Sequence, residues 1–175
     1  EPSRSAIFKA IEKAKDIKMP IVLDIDYRPY TWSGTEEASN IYMLASKSCD
    51  ILIGNDDEFG ILANNYSEGI QIAKKLSKDI SIVIYKKGKK GSITFYDNHQ
   101  INKGIFPVKA LKPTGAGDAF IGSFIGGLLK NKSIEESIEY GSASAAIVVT
   151  KVGCAPAMPL QNEIEKFMKL NKINN

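Results

Sequence analysis

The sequence predicts an α/β fold with a mainly parallel sheet and helices layered on it. Three observations predict it. Short, almost unbroken apolar and β-branched runs recur at 21–25, 51–54 and 80–85, the pattern of strands buried on both faces. Segments with helical periodicity separate them, which gives the alternation that βαβ units need. After the third run a glycine-punctuated hairpin, a glycine loop and two further helices complete the order of elements, with no internal repeat or low-complexity stretch.

Pro2-Ser3-Arg4-Ser5 suits the first turn of a helix, and Ile7, Ala10, Ile11 and Ala14 fall on one face, so residues 3–17 read as an amphipathic helix, with Pro20 ending the link after it. The strand 21–25 follows. Asp24, Asp26, Arg28, Pro29, Tyr30 and Trp32 crowd its C-terminal end, where open α/β sheets bind ligands. They are equally the residues of an ordinary β-to-α loop with a surface Asp–Arg pair.

A polar helix over 35–46 leads to the strand 51–54 and then to Asn55-Asp56-Asp57-Glu58. An amide and a carboxylate three residues apart at a helix opening can hold the waters of a Mg²⁺ ion, which keeps most of its hydration shell. The same four residues also make an N-cap with acids on the helix dipole. Helical residues 67–77 precede the strand 80–85. Lys86-Lys87-Gly88-Lys89-Lys90-Gly91 then turns the chain into an alternating antiparallel strand at 92–96, with Gly88 and Gly91 supplying positive φ or close approach. The lysines there suit a solvated hairpin tip or assist a phosphate. Asp97-Asn98-His99-Gln100 reads as a polar turn with His99 exposed, and 105–108 as a short strand or extended link.

Thr114-Gly115-Ala116-Gly117-Asp118 is a tight small-residue loop entering an apolar helix. The first N–H groups of a helix lack intrahelical partners and sit at the positive end of its dipole, so such a loop can hold a phosphate by main chain alone. Asp118 beside a bound anion is repelled unless it takes a proton from a hydroxyl attacking that phosphate. The alternative is that Asp118 caps the helix and the glycines only turn the chain. Ser133 caps the next helix, whose small-residue stretch 141–146 suits either a planar base or plain helix packing. Residues 160–170 form a last amphipathic helix, and the tail beyond them is expected to fray.

The composition of the 175 residues, 43% hydrophobic and 25% charged, is that of a globular domain with a real core. The net charge of +3 comes from scattered lysines without a basic block, which argues against nucleic acid as a partner. Cys49 and Cys154 have neither disulfide-framework nor zinc spacing, and free thiols suit a reducing compartment. With no membrane-length apolar run and no signal-peptide pattern, a cytoplasmic protein is expected. The start at Glu1-Pro2-Ser3 rather than Met suggests part of something longer.

Gly115-Ala116-Gly117-Asp118 resembles the G-A-G-D signature of the ribokinase-like (PfkB) carbohydrate kinases. The resemblance implies a ribokinase-like three-layer fold, Asp118 as catalytic base and the Gly115, Ala116 and Gly117 amides as the anion hole. Asn55-x-x-Glu58 is similar to the family's N-x-x-E element, which implies Mg²⁺ placed by Asn55 and Glu58. Residues 24–28 resemble its D-x-N-x-R element, which implies that Asp26 and Arg28 lie near the phosphates and the acceptor; Asp26 stands where the family has Asn. The G-x-x-G turn implies that Lys86, Gly88 and Gly91 run along the ATP, and the helix at 141–146 that Ser142 sits nearest the adenine. The longer run 24–32 looks like the 5-dehydro-2-deoxygluconokinases of myo-inositol catabolism. That implies ATP-dependent phosphorylation of a sugar acid; other acceptors in the family are fructose, 2-keto-3-deoxygluconate and nucleosides, and a non-catalytic nucleotide-binding module is a further reading.

Two departures matter. The family's Asp three residues before the first signature glycine is Lys112 here, and a cation there implies weak or no monovalent-ion activation. The likeness also covers only the C-terminal, nucleotide-binding portion of such a kinase, over residues 1–175, so the sugar-binding and lid segments of the N-terminal half are expected upstream. The isolated chain is then expected to be inactive and to expose a sheet edge, and a homodimer is a candidate assembly.

Overall fold

The computed structural model describes residues 2–174. The chain divides into two compact units, residues 1–88 with 92–100, and residues 89–91 with 101–175.

The first unit runs α1 (Ser3–Asp16), β1 (Val22–Asp24), α2 (Thr35–Ser46), β2 (Ile51–Asn55), α3 (Asp56–Leu62), α4 (Gly69–Leu76), β3 (Ile82–Lys86) and β4 (Ser92–Tyr96), and β5 (His99–Lys103) begins in it. The five strands lie in sequence order, β1-β2-β3-β4-β5. β1 and β3 flank β2 in parallel, with Leu23 opposite Leu52 and Leu52 opposite Val83, and β4 is antiparallel to β3. Alternation along the strands puts Leu52, Val83 and Phe95 on one face, where they pack with Phe59, Leu62 and Ala73. Phe59 and Leu62, three apart on α3, are fully covered, each burial stabilising the unit by about 1.5–3 kcal/mol. β1 is only half-buried, and α1 buries no residue; Ile7 on its apolar face is 54% exposed.

The second unit holds α5 (Ala116–Leu129), α6 (Ile134–Val149) and α7 (Gln161–Leu170). α6 is one continuous helix, opened by a capping box in which Ser133 Oγ accepts the Glu136 amide at 3.1 Å and Glu136 Oε2 accepts the Ser133 amide at 2.9 Å. The small residues of α6 serve the packing of α5 on α6: a Cβ at Gly141 would lie 2.9 Å from the Phe120 carbonyl and ring. Phe106, Tyr140, Ala143, Ile147 and Ile164 form the core between α6 and α7.

Two expectations are corrected, and one left open between two forms is decided. His99 and Gln100 belong to β5 instead of a turn, because Asp97 and Asn98 alone make the reversal, with φ 45° and 61°. Both angles are positive, as a two-residue hairpin turn that follows strand twist requires, and Asp and Asn tolerate them. Of the two forms open to residues 105–108, strand or link, the chain takes the link, with a bridge from Ile105 to Asn174. The tail is accordingly held there, the Asn174 amide donating to the Ile105 carbonyl at 2.9 Å. Among the described residues no helix is long and apolar enough to cross a membrane.

Candidate active site

In the second unit the signature loop is a turn closed by the Ala116 amide, which donates to the Pro113 carbonyl at 3.2 Å. Gly115 has φ 86° and ψ −5°, the values a type II turn needs at its third residue, where a side chain is strained. Space forbids one as well, since a Cβ there would sit 2.8 Å from Cys154 Sγ and 3.3 Å from Val148 Cγ1. Gly115 is the N-cap of α5 and no side chain caps that helix, so Asp118 is not its cap. Asp118 stands at the third helical position, exposed to solvent, and makes no ion pair or side-chain hydrogen bond among the described residues. The Gly117 and Asp118 amides have no backbone acceptor there, as expected of a helix start. Ala116 is the exception within the expected cradle, its N–H being committed to the turn. Lys112 follows Leu111, whose amide donates to the Val149 carbonyl at 2.7 Å. Ser142 lies within α6 with 9% of its surface exposed.

In the first unit the functional candidates gather at the C-terminal ends of β1, β2 and β3. Asn55 and Glu58 form a complete capping box: Asn55 Oδ1 accepts the Glu58 amide at 2.9 Å and Glu58 Oε2 accepts the Asn55 amide at 2.6 Å. Glu58 is 7% exposed. Burial pushes its carboxyl pKa up, while hydrogen bonds from the Asn55 and Tyr27 amides and the charge of Lys86 pull it down. Lys86 Nζ lies 3.8 Å from Asp24 Oδ1, both largely shielded from solvent. That pairing was invisible in the sequence, where the two residues belong to different strands; only the register across β2 brings them to the same face.

The donor set is hard oxygen, as Mg²⁺ prefers, but one oxygen each of Asn55 and Glu58 is already taken by a backbone amide. No group of three His, Cys, Asp or Glu among the described residues could cage a metal. The residues therefore fit a hydrated ion held through water, and do not fit direct ligation by several carboxylates.

Arg28 and Asp26 form an ion pair at 2.5 Å with about half of each side chain exposed. Asp26 has φ 41°, a conformation that Asn and Asp adopt more readily than other side chains, so Asp in place of Asn preserves the backbone there. Gly88 and Gly91 have φ 55° and 80°, and a Cβ at Gly91 would fall on the Lys103 carbonyl. Sequence reasoning also missed the seat of the 27–33 loop: Trp32 lies 5.1 Å from Tyr42, and Arg4 reaches over the same indole.

Comparison with known proteins identifies the family. The model of the pfkB family of carbohydrate kinases matches residues 1–161. The chain is 38% identical to 5-dehydro-2-deoxygluconokinase 2 of Bacillus cereus, over 97% of its own length and 53% of the relative's. It is likewise 38% identical to 5-dehydro-2-deoxygluconokinase of Geobacillus kaustophilus, over 98% and 52%. A crystal structure of Vibrio cholerae fructokinase bound to fructose, ADP and calcium superposes with a TM-score of 0.86 at 27% identity, covering 96% of this chain and 56% of that one. The chain thus spans about half the length of the curated relatives it matches. A family match over residues 1–161, nearly the whole chain, makes this chain a member of the PfkB family of carbohydrate kinases.

Proposed function

We propose that the full-length protein transfers the γ-phosphoryl group of ATP to a hydroxyl of a sugar acid, 5-dehydro-2-deoxy-D-gluconate. One observation carries the chemistry: among the described residues Asp118 is solvent-facing and uncommitted, at a helix start whose Gly117 and Asp118 amides have no backbone acceptor. A carboxylate so placed serves as the base that takes the acceptor hydroxyl's proton as the phosphoryl group arrives.

The Gly115, Ala116 and Gly117 amides stabilise charge on the transferring group, Ala116 by yielding its long 3.2 Å bond to Pro113. Asn55 and Glu58 hold the water shell of Mg²⁺, which supplies charge neutralisation at the phosphates when bound. Arg28 binds phosphate or acceptor, and Asp26 pairs with its guanidinium. Lys86, Gly88 and Gly91 run along the nucleotide, and Ser142 lies nearest the base. The relatives' names support the sugar acid, and the fructose in the Vibrio fructokinase supports a second acceptor, so acceptor profiling of the full-length protein separates the two.

The test of the base is Asp118→Asn in the full-length protein. It keeps shape and removes basicity, so kcat falls by about two or more orders of magnitude with ATP affinity little changed. Equal losses in binding and rate would assign Asp118 a structural role.

A further inference from the structure

We propose that Arg4 is a positioning residue: from α1 it holds Trp32, and through Trp32 the 27–33 segment that presents Arg28. The inference rests on the reading that Arg28 serves the phosphoryl transfer. The Arg4 guanidinium engages two partners at once. Its Nη2 donates to Glu37 Oε1 at 2.7 Å, and its Cζ lies 5.3 Å over the Trp32 ring. The other oxygen of Glu37 accepts the Ser33 amide at 3.1 Å, which ties the end of the loop to the start of α2.

Trp32 in turn leans on Tyr42 at 5.1 Å, and Tyr42 meets Tyr27 edge-on at 6.5 Å. Both ends of the segment are therefore seated on α2, while its middle, with Arg28 half-exposed and Tyr30 84% exposed, faces solvent. Inside the segment the backbone bonds are those of one 3-10 turn, Thr31 to Arg28 at 3.0 Å and Trp32 to Pro29 at 3.3 Å. A single turn fixes its own shape but not its direction, which is set by the Tyr27 amide's bond to Glu58 at one end and by the aromatic seat. Because α1 buries no residue of its own, the reach of Arg4 is not a by-product of a packed helix interface. Arginine suits the task, since its planar fork bonds a carboxylate along its edge while its face lies over an indole.

The test uses the full-length protein labelled with 5-fluorotryptophan, with the Trp32 resonance assigned by its loss in Trp32→Phe. In Arg4→Met the Trp32 fluorine signal shifts or broadens, and KM for the substrate that Arg28 meets rises about fivefold with kcat within about twofold. Arg4→Lys, which retains the charge but lacks the planar fork, restores only part of both. Glu37→Gln moves both in the same direction by less, because the contact with Trp32 survives. An Arg4→Met resonance identical to wild type, or kcat and KM that stay at wild-type values, overturns the proposal. A wild-type protein without phosphoryl transfer would remove the kinase reading instead, and the fluorine arm would still decide whether Arg4 holds Trp32.

Discussion

At Gly115 two independent demands meet, a backbone with φ 86° and a gap too small for a methyl group beside Cys154. Either alone would tolerate a compromise; together they leave only glycine. Gly115→Ala should therefore destabilise the fold by about 1–3 kcal/mol, measured by denaturant unfolding, and should misplace the amides that follow it. Glu37 offers a second residue-scale prediction. The Arg4 hydrogen bond, then those from Ser33, hold its carboxyl at about 2 against an ordinary 4.5. The folded value lies below the unfolded one, so its stabilisation is present above about 4.5 and is lost as pH falls through about 2. The gap in melting temperature between wild type and Glu37→Gln should be present at neutral pH and should close toward about pH 2. Melts at a series of pH values check this; a gap that persists in acid would place the effect elsewhere than in the carboxylate. At this scale much was legible: the glycines, Asp118, and the spacing of Asn55 and Glu58 could be read directly. Asp24 with Lys86, and Arg4 with Trp32, could not, because each pair is joined only by pairing or packing between separate elements.

Elements announced themselves where local signals agreed with tertiary placement. The runs at β2 and β3 are buried along nearly their whole length, so hydrophobicity and β-branching pointed to the same structure. β5 was missed because His99–Lys103 carries a single buried residue, Ile101, and gains its place from the Asp97-Asn98 turn and from β4. Residues 105–108 left strand and link open for the opposite reason, apolar residues whose one bridge, from Ile105, has no neighbouring strand to extend it. The two capping boxes were partly visible as an amide or hydroxyl three residues before an acid, and they carry measurable energy. Ser133→Ala should lower stability by about 1 kcal/mol, since it leaves the Glu136 amide without its acceptor; a thermal melt with a drop of a few degrees is the expected result.

For the whole molecule, the chain spans about half the length of its curated relatives, and phosphoryl transfer needs both substrates held in line. The 175-residue chain alone should bind ATP weakly and phosphorylate no sugar acid, as a coupled ADP-release assay would record; turnover comparable to the full-length protein would contradict this. Lys112, in the position where the family resemblance puts a cation-holding acid, predicts equal activity of the full-length protein in K⁺ and Na⁺. Clear stimulation by K⁺ would count against that assignment.

The strands stand in the sheet in the order in which they occur in the chain. A polypeptide leaving the ribosome can therefore lay each new strand beside the last one made, and no slot has to be kept open for a later arrival. Among these five strands pairing advances toward β5, each strand joining the one made just before it.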